Sequence, residues 1–124
     1  MFDHMGFEVR DYQRSKKFYE KALAPLGIKL MKSWDDYQAA GFGTERPQFW
    51  IGGGKPSNGE DQLHVCFAAK DRATVRAFYE AAIAAGARDN GKPGLRPEYH
   101  ENYYGAFVFD PDGNNIEACC HNPE

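Results

Sequence analysis

The chain has 124 residues, of which 42% are hydrophobic and 27% are charged, and its formal net charge is −3 at pH 7. A chain of this length can bury a core of its own, so one compact domain is expected. The slightly acidic balance, with no local cluster of lysines and arginines, argues against a nucleic-acid partner, and the apolar runs are too short to cross a membrane.

The first residues, MFDHMGF, lead directly into strand-like sequence without the basic and apolar regions of an export signal, so export is not expected. The three cysteines, Cys66, Cys119 and Cys120, are an odd number and lack the spacing of a disulfide framework. We interpret them as small, buried and reduced residues of a cytoplasmic protein.

The chain begins with a pattern typical of a strand followed by a helix. Residues 4–9, HMGFEV, alternate between apolar and other side chains, as a strand with one apolar face does. Asp11 is placed to cap the next helix, which Pro25 and Gly27 end. The core positions of this helix are expected at 15, 18, 19, 22 and 23. Strand and turn residues follow at 28–35, 37–43 and 48–53.

Residues 63–84 repeat this beginning. They align with residues 3–24 at a constant offset of 60 and without a gap, with eight identities in 22 positions, His4 with His64 among them. A duplicated module accounts for such a match better than chance does. The second copy is therefore expected to hold a strand at 64–69 and a helix that Asp71 caps and Gly86 ends. The core positions of that helix are 75, 78, 79, 82 and 83.

The rest of the chain completes the second module. A segment rich in proline and glycine, 89–102, precedes two strand-like runs, YYGAFVFD and NIEACC, which the turn sequence DPDGNN separates. An offset of 67 aligns these runs with the later strands of the first half and places Phe42 on Phe109 and Trp50 on Glu117. We therefore predict an α+β fold with two βαβββ modules, 1–54 and 62–121, in a single domain 1–124. The flexible sequence GGGKPSNGED at 52–61 joins them.

The alternation of side chains along the predicted strands places several polar residues on one face. That face is opposite the more apolar side of each strand, which is expected to pack under the helices. On the three strands concerned, its members are His4, Gly6 and Glu8; His64 and Cys66; and Glu117, Cys119 and His121.

Taken together, the opening FDHMGFEVRDYQRSKKFYEKAL, the LHVCF of the second module and the closing GAFVFDPDGNNIEACCH resemble the vicinal oxygen chelate superfamily. This superfamily includes glyoxalase I, bleomycin-resistance proteins, fosfomycin-resistance enzymes and extradiol dioxygenases. The resemblance covers nearly the whole chain. It implies that the two βαβββ modules form an open barrel-like cup with a metal ion at its centre.

The resemblance also implies the ligands of that ion. The family's ligand positions correspond to His4, Trp50, His64 and Glu117, and a tryptophan cannot ligate. His4, His64 and Glu117 remain, which is a two-histidine, one-carboxylate set with open positions for a divalent ion such as Fe, Mn, Ni or Zn. Glyoxalase I proper has a fourth ligand in the position of Trp50, so this chain departs from its pattern.

Further site residues follow from the same resemblance. His100 and a tyrosine of the Tyr103–Tyr104 pair, of which we choose Tyr104, are candidates for acid–base catalysis. Trp50, Gln48 and Arg96 are candidates for substrate binding. The alternatives remain open at this point: His100 could be a surface histidine, Tyr104 and Trp50 could be packing residues, and Arg96 could carry an ordinary solvated loop charge.

The function that these features favour is that of a metal-dependent, glyoxalase-like lyase or isomerase. Its small-molecule substrate would chelate the ion through vicinal oxygens. The alternatives are an extradiol-type ring-cleaving dioxygenase and a non-catalytic ligand-binding protein like the bleomycin-resistance proteins. Fosfomycin-type transfer is disfavoured because Gly6 stands where that pattern has a hydroxyl. Exposed sheet edges predict a homodimer, and the metal site could be built within one chain or shared between two.

Overall fold

A computed structural model describes residues 2–55 and 63–124. Within these ranges the chain forms two α-helices, a short 3-10 turn at Ala24–Leu26 and eight strands. The elements of the first module are β1 Met5–Val9, α1 Tyr12–Ala22, β2 Lys29–Trp34, β3 Ala39–Gly43 and β4 Pro47–Gly53. Those of the second are β5 His64–Ala68, α2 Arg72–Ala84, β6 Arg88–Leu95, β7 Tyr104–Phe109 and β8 Asn115–Cys120. No helix in the described ranges is long and apolar enough to cross a membrane.

The strands form one four-stranded sheet in each module. The orders are β1-β4-β3-β2 and β5-β8-β7-β6, with the first pair of each sheet parallel and the others antiparallel. The predicted α+β fold with two βαβββ modules is therefore confirmed. Gly6 pairs with Trp50 in the first sheet and Cys66 pairs with Glu117 in the second, so Trp50 and Glu117 occupy equivalent positions, as the offset of 67 predicted.

The same offset is wrong by one residue for the preceding strands. Trp50 lies opposite Gly41 in β3, whereas Glu117 lies opposite Phe107 in β7, which gives an offset of 66. The cause is a register shift in the first sheet between Phe42 and Gly43, where the ladder slips by one residue. The β7–β8 ladder runs without such a shift.

Two predicted connections are shorter than expected. The sequence predicts no strand in the proline- and glycine-rich segment 89–102, but β6 occupies its first half. Register shifts on both sides of Gly91, whose φ is +152°, let this irregular strand pair with β7. The predicted linker at 52–61 begins inside β4, which ends at Gly53, and residues 56–62 lie outside the described residues.

The helices begin and end as predicted. The Asp11 side chain accepts a hydrogen bond from the backbone N–H of Arg14, and that of Asp71 accepts one from Thr74. The connections after the helices turn at Gly27 and Gly86, whose φ angles are 76° and 105°. Of the predicted core positions on the two helices, position 83 is wrong, since Ile83 is 37% exposed.

One hydrophobic core joins the two modules. It lies on the helix side of both sheets and contains side chains from α1, α2 and strands of each module. Phe49 of β4 and Phe67 of β5 make an edge contact with ring centroids 5.2 Å apart. Tyr19 of α1 is fully buried, and its hydroxyl donates a hydrogen bond to Oδ2 of buried Asp110 at 2.5 Å. Burial and the Asp110 charge raise the pKa of Tyr19, which keeps this donor protonated.

We expect Tyr19→Phe to lower the free energy of unfolding by about 1.5–3 kcal/mol, because a buried hydrogen bond to a charged group is lost. Tyr79→Phe is the matched control, since Tyr79 is the repeat equivalent of Tyr19 but donates to solvent-exposed Asp89 of its own module. Its loss should be about 0.5 kcal/mol. Urea unfolding of both variants measures the difference. Equal losses of unfolding free energy would contradict a larger contribution to stability from the Tyr19–Asp110 bond between the modules.

Candidate functional site

The site is built around Glu117, in the middle of β8. Along this strand Ile116, Ala118 and Cys120 are buried in the cores on the helix side. Glu117, Cys119 and His121 therefore lie on the other side of the sheet, as the alternation predicted. We call this side of each sheet the cup face. Although it faces away from the helices, Glu117 is only 2% exposed.

Both carboxylate oxygens of Glu117 have partners. Nε2 of His64, on the neighbouring parallel strand β5, lies 3.2 Å from Oε1. The hydroxyl of Tyr103 donates a short hydrogen bond to Oε2. Burial, followed by the hydrogen bond to Glu117, raises the pKa of Tyr103, so this hydroxyl stays protonated at neutral pH. The structure thus brings together two of the three predicted ligands, His64 and Glu117.

Two thiols lie beside this carboxylate. Sγ of Cys66 on β5 is 3.4 Å from Sγ of Cys119 on β8. These two sulfur atoms and a Glu117 oxygen all lie within 4.8 Å of one another. The three cysteines of the chain are free, as predicted, but Cys66 is exposed and not buried. Desolvation and the nearby Glu117 charge raise the pKa of the Cys66 thiol far above its usual value.

An aromatic cluster borders the thiols. Nε2 of His100 makes a short contact with Nδ1 of His121, and Nε2 of His121 lies 3.7 Å from Sγ of Cys119. The ring of Tyr103 packs edge-on against both imidazoles, with centroids 5.2 and 5.1 Å away. His100, a predicted catalytic residue, therefore contacts Tyr103, and Tyr103 in turn contacts the Glu117 carboxylate.

Tyr104, the other predicted catalytic residue, lies on the helix side of β7. Its ring is below the guanidinium of Arg72, and its hydroxyl accepts a hydrogen bond from Arg76 at 3.3 Å. The structure does not bring it to Glu117 and places Tyr103 there instead. The alternation of side chains along YYGAFVF could have indicated Tyr103, because Tyr103 shares the face of Phe107, which pairs with Glu117.

His4, the third predicted ligand, lies just before β1 of the first module. Its side chain is 63% exposed, and its Nδ1 is 2.7 Å from Oδ1 of Asp3. The hydrogen bond from His4, and then the charge of Arg46, lower the pKa of Asp3. Within 2–55 and 63–124, no hydrogen bond or ion pair joins His4 to His64 or Glu117.

The cup face of the first sheet carries stacked tryptophans where the second has its carboxylate. Trp50 is half-buried and stacks on Trp34, with centroids 5.8 Å apart and planes 7° apart. Gly41 makes room for this ring, since a Cβ there would lie 2.8 Å from Trp50. Sequence reasoning missed Trp34, because neither its two-residue spacing from Lys32 nor its place in β2 gave a distinctive signal. Gln48, a predicted substrate contact, is exposed and lines a cavity of about 390 Å³ with Met5 and Cys66.

Arg96, the remaining predicted substrate contact, packs against Phe107. Its guanidinium is 5.4 Å from the ring of Phe107 and donates to the backbone carbonyl of Lys92. The imidazole of His64 stacks on the same Phe107 ring, with centroids 6.4 Å apart. Arg96 lines an open cavity of about 280 Å³ whose other walls are Asn90, Gly91, Tyr99, Phe107 and Asn115.

Comparison with known proteins places this fold in a family. The model of the Glyoxalase/Bleomycin resistance protein/Dioxygenase superfamily matches residues 1–118. Among solved structures, a glyoxalase/bleomycin resistance protein from Albidiferax ferrireducens T118 is 31% identical, with a TM-score of 0.75. That alignment covers 98% of this chain and 99% of the other.

More distant structures share the fold. The fosfomycin resistance protein FosX from Mesorhizobium loti is 18% identical with a TM-score of 0.70, over 96% of this chain and 90% of that one. TioX from Micromonospora sp. ML1 is 17% identical with a TM-score of 0.74, over 98% of this chain and 99% of that one. At these identities the likeness shows the fold alone. A search of curated proteins found no match.

The bond between Tyr103 and Glu117 gives a test of this site in the protein without metal. We expect Tyr103→Phe to lower the free energy of unfolding by about 1–3 kcal/mol, because it leaves a buried carboxylate oxygen without its donor. Tyr104→Phe, the control next to it in sequence, loses only a bond to the solvated Arg76 and should change little. Denaturant unfolding of chelator-treated protein measures both, and a larger loss in Tyr104→Phe would contradict this geometry.

Proposed function

This chain belongs to the Glyoxalase/Bleomycin resistance protein/Dioxygenase superfamily, and from that premise we propose that it is a divalent-metal-dependent, glyoxalase-like enzyme of the lyase or isomerase type. The observation that carries the proposal is the contact between His64 and the buried Glu117 on the cup face. The repeat equivalent of His64, His4, completes a set of two histidines and one carboxylate.

The residues present fit a divalent ion. Burying a carboxylate as deeply as Glu117 is costly unless charge or hydrogen bonds compensate it. Imidazole and carboxylate ligands suit Fe, Mn, Ni and Zn, and three protein ligands leave open coordination positions on the ion. His4, His64 and Glu117 would hold the ion. When bound, it would supply Lewis acidity that polarises a substrate carbonyl or hydroxyl oxygen.

Tyr103 and His100 are the proposed acid–base residues. The Tyr103 hydroxyl, held protonated by its raised pKa, donates to Glu117 and can turn this one donor to a substrate oxygen that arrives beside the carboxylate. His100 packs on the Tyr103 ring, and its imidazole is exposed to solvent. The packing of Tyr104 on the helix side argues against the catalytic role predicted for it.

The cavity beside Phe107 indicates the class of substrate. Arg96 and the amide side chain of Asn90 line the open cavity that adjoins the Phe107–His64 stack. A guanidinium beside a cavity suits a carboxylate or another anionic group. We therefore propose a small substrate that offers two neighbouring oxygens to the site and an anionic group to Arg96.

The arrangement of the modules favours a site shared between two chains. Within one chain the modules share a core on their helix sides, which leaves the cup face of each sheet on the outside of that core. His4 is exposed on the first module and contacts neither His64 nor Glu117. A twofold dimer that pairs the first module of one chain with the second module of the other would bring His4 of one chain to the remaining ligands.

A second candidate is a binding protein without catalysis. The stacked Trp34 and Trp50 favour it, since two parallel indoles, of which Trp34 is exposed, offer a surface for a flat ligand. Trp34 remains 47% exposed. The metal content of the purified protein separates the two functions, because a binding cup of this kind has no need of an ion. Extradiol-type ring cleavage would use the same three ligands with Fe and differs in its requirement for dioxygen.

We expect His64→Ala and Glu117→Gln each to remove most of the metal that the wild-type protein binds, while circular dichroism stays unchanged. Glu8→Gln is the control, because Glu8 is an exposed carboxylate on β1. Elemental analysis after purification without chelators, and after reloading with Fe, Mn, Ni or Zn, provides the measurement. Undiminished metal in His64→Ala would remove this assignment.

A mixing experiment tests the shared site. His4→Ala and Glu117→Ala proteins should each bind little metal alone. Random exchange makes about half of the dimers mixed, and each mixed dimer carries one intact site, so metal returns to about a quarter of the wild-type content. His4→Ala mixed with itself is the control. If every chain builds its own site, exchange restores no metal at all.

A further inference from the structure

The thiols of Cys66 and Cys119, together with the imidazole of His121, form a second group of potential ligands on the cup face. This group uses none of the three residues proposed above for the catalytic ion. Cys66 lies on β5 and Cys119 on β8, and these strands are hydrogen-bonded neighbours with Ala68 opposite Cys119. His121 follows directly after β8 on the same face as Cys119.

Two of the three distances within this group are close to the edges of a tetrahedral coordination shell. With metal–sulfur bonds of 2.3 Å and metal–nitrogen bonds of 2.0–2.1 Å, a tetrahedral zinc-like ion separates two sulfur ligands by about 3.8 Å and a sulfur from a nitrogen by about 3.6 Å. The structure has 3.4 Å between Cys66 Sγ and Cys119 Sγ. It has 3.7 Å between Cys119 Sγ and His121 Nε2. Small side-chain adjustments would bring both separations to those of a bound ion. The ring nitrogens of His121 lie outside the group of Cys66, Cys119 and Glu117 atoms that are within 4.8 Å of one another, so the exposed imidazole would turn toward Cys66 when the ion binds.

The surroundings support coordination as well as spacing. The other ring nitrogen of His121 contacts His100, which holds the imidazole from its far side. Outer partners commonly hold metal-bound histidines in this way. The Glu117 carboxylate, within 4.8 Å of both sulfurs, adds negative charge beside them. Glu117 is assigned above to the catalytic ion, which leaves the fourth position of this second ion to water or an outside ligand.

We infer that Cys66, Cys119 and His121 form a second, thiolate-rich metal site that takes a soft or borderline divalent ion such as Zn²⁺, Co²⁺ or Cd²⁺. Sulfur ligands favour these ions over Mg²⁺ or Mn²⁺. Each thiol gives up its proton to solvent as its sulfur–metal bond forms, and no sulfur changes oxidation state. The site has an open position, as sites that bind a ligand through the ion do.

Cobalt is the probe, because Co²⁺ bound by thiolate shows an intense near-ultraviolet charge-transfer band that nitrogen and oxygen ligands do not produce. The full-length protein, reduced with a phosphine and kept under argon, is titrated with Co²⁺. We expect a thiolate band that saturates in the wild type. Cys66→Ser and Cys119→Ser should each lose most of its intensity, and His100→Ala should weaken binding about 10- to 100-fold.

Two variants serve as controls. Cys120→Ala removes the neighbouring thiol, which is buried on the helix side, and should keep the band. His64→Ala should also keep it, which separates this site from the proposed catalytic ion. If Cys119→Ser fails to fold, Cys66→Ser carries the test, because Cys66 is exposed.

The opposite results would overturn the inference. They are a reduced wild-type protein without a thiolate band, a band that survives in the Cys66→Ser/Cys119→Ser double variant, or a band that Cys120→Ala abolishes. A missing thiolate band alongside metal that His64→Ala removes would leave the proposed catalytic ion standing and refute the second site alone.

Discussion

Glu117 is a carboxylate that the fold buries almost completely, and a buried carboxylate is tolerated only where protein groups replace the water it has lost. Here an imidazole from the parallel neighbour β5 approaches one oxygen, and a phenol from the entry of β7 donates to the other. The βαβββ topology is what makes this possible. It places the first and last strands of the module side by side, so that residues 53 positions apart in sequence, His64 and Glu117, meet on one face.

The second feature that shapes the molecule is the core shared by the two modules. Both sheets turn their helix sides toward it, and the buried bond from Tyr19 to Asp110 fixes one module to the loop before the last strand of the other. Asp110 also accepts hydrogen bonds from the backbone of the turn that leads into β8. The core thus holds the strand that carries Glu117, and the same packing leaves the two cup faces outside, free to meet a second chain.

Duplication gave the modules one fold, and substitution gave their cup faces different chemistry. The ladder places Trp50 and Glu117 in the same position, and Gly6 in the position of Cys66. The first sheet therefore presents glycines and stacked indoles, a flat surface without a buried charge. The second presents a carboxylate and two thiols, with the imidazoles of His64 and His121 beside them and that of His100 against His121. In the proposed dimer the aromatic face of one chain would complete the reactive face of its partner.

The sequence by itself determined the duplicated modules, both helix caps, the class of fold and the faces on which His64 and Glu117 lie. These rest on local patterns, namely side-chain alternation, capping residues and an ungapped repeat, which act over a few residues and are visible in the chain. Tertiary structure decided what local patterns do not encode. A one-residue slip beside Gly43 set the alignment of β3 with β7, and bulges around Gly91 made a strand of a segment rich in glycine and proline. The choice of Tyr103 over Tyr104, the pairing of Cys66 with Cys119 and the separation of His4 from Glu117 likewise depend on which strands become neighbours, because contacts between residues distant in sequence exist only once the sheets have paired and packed.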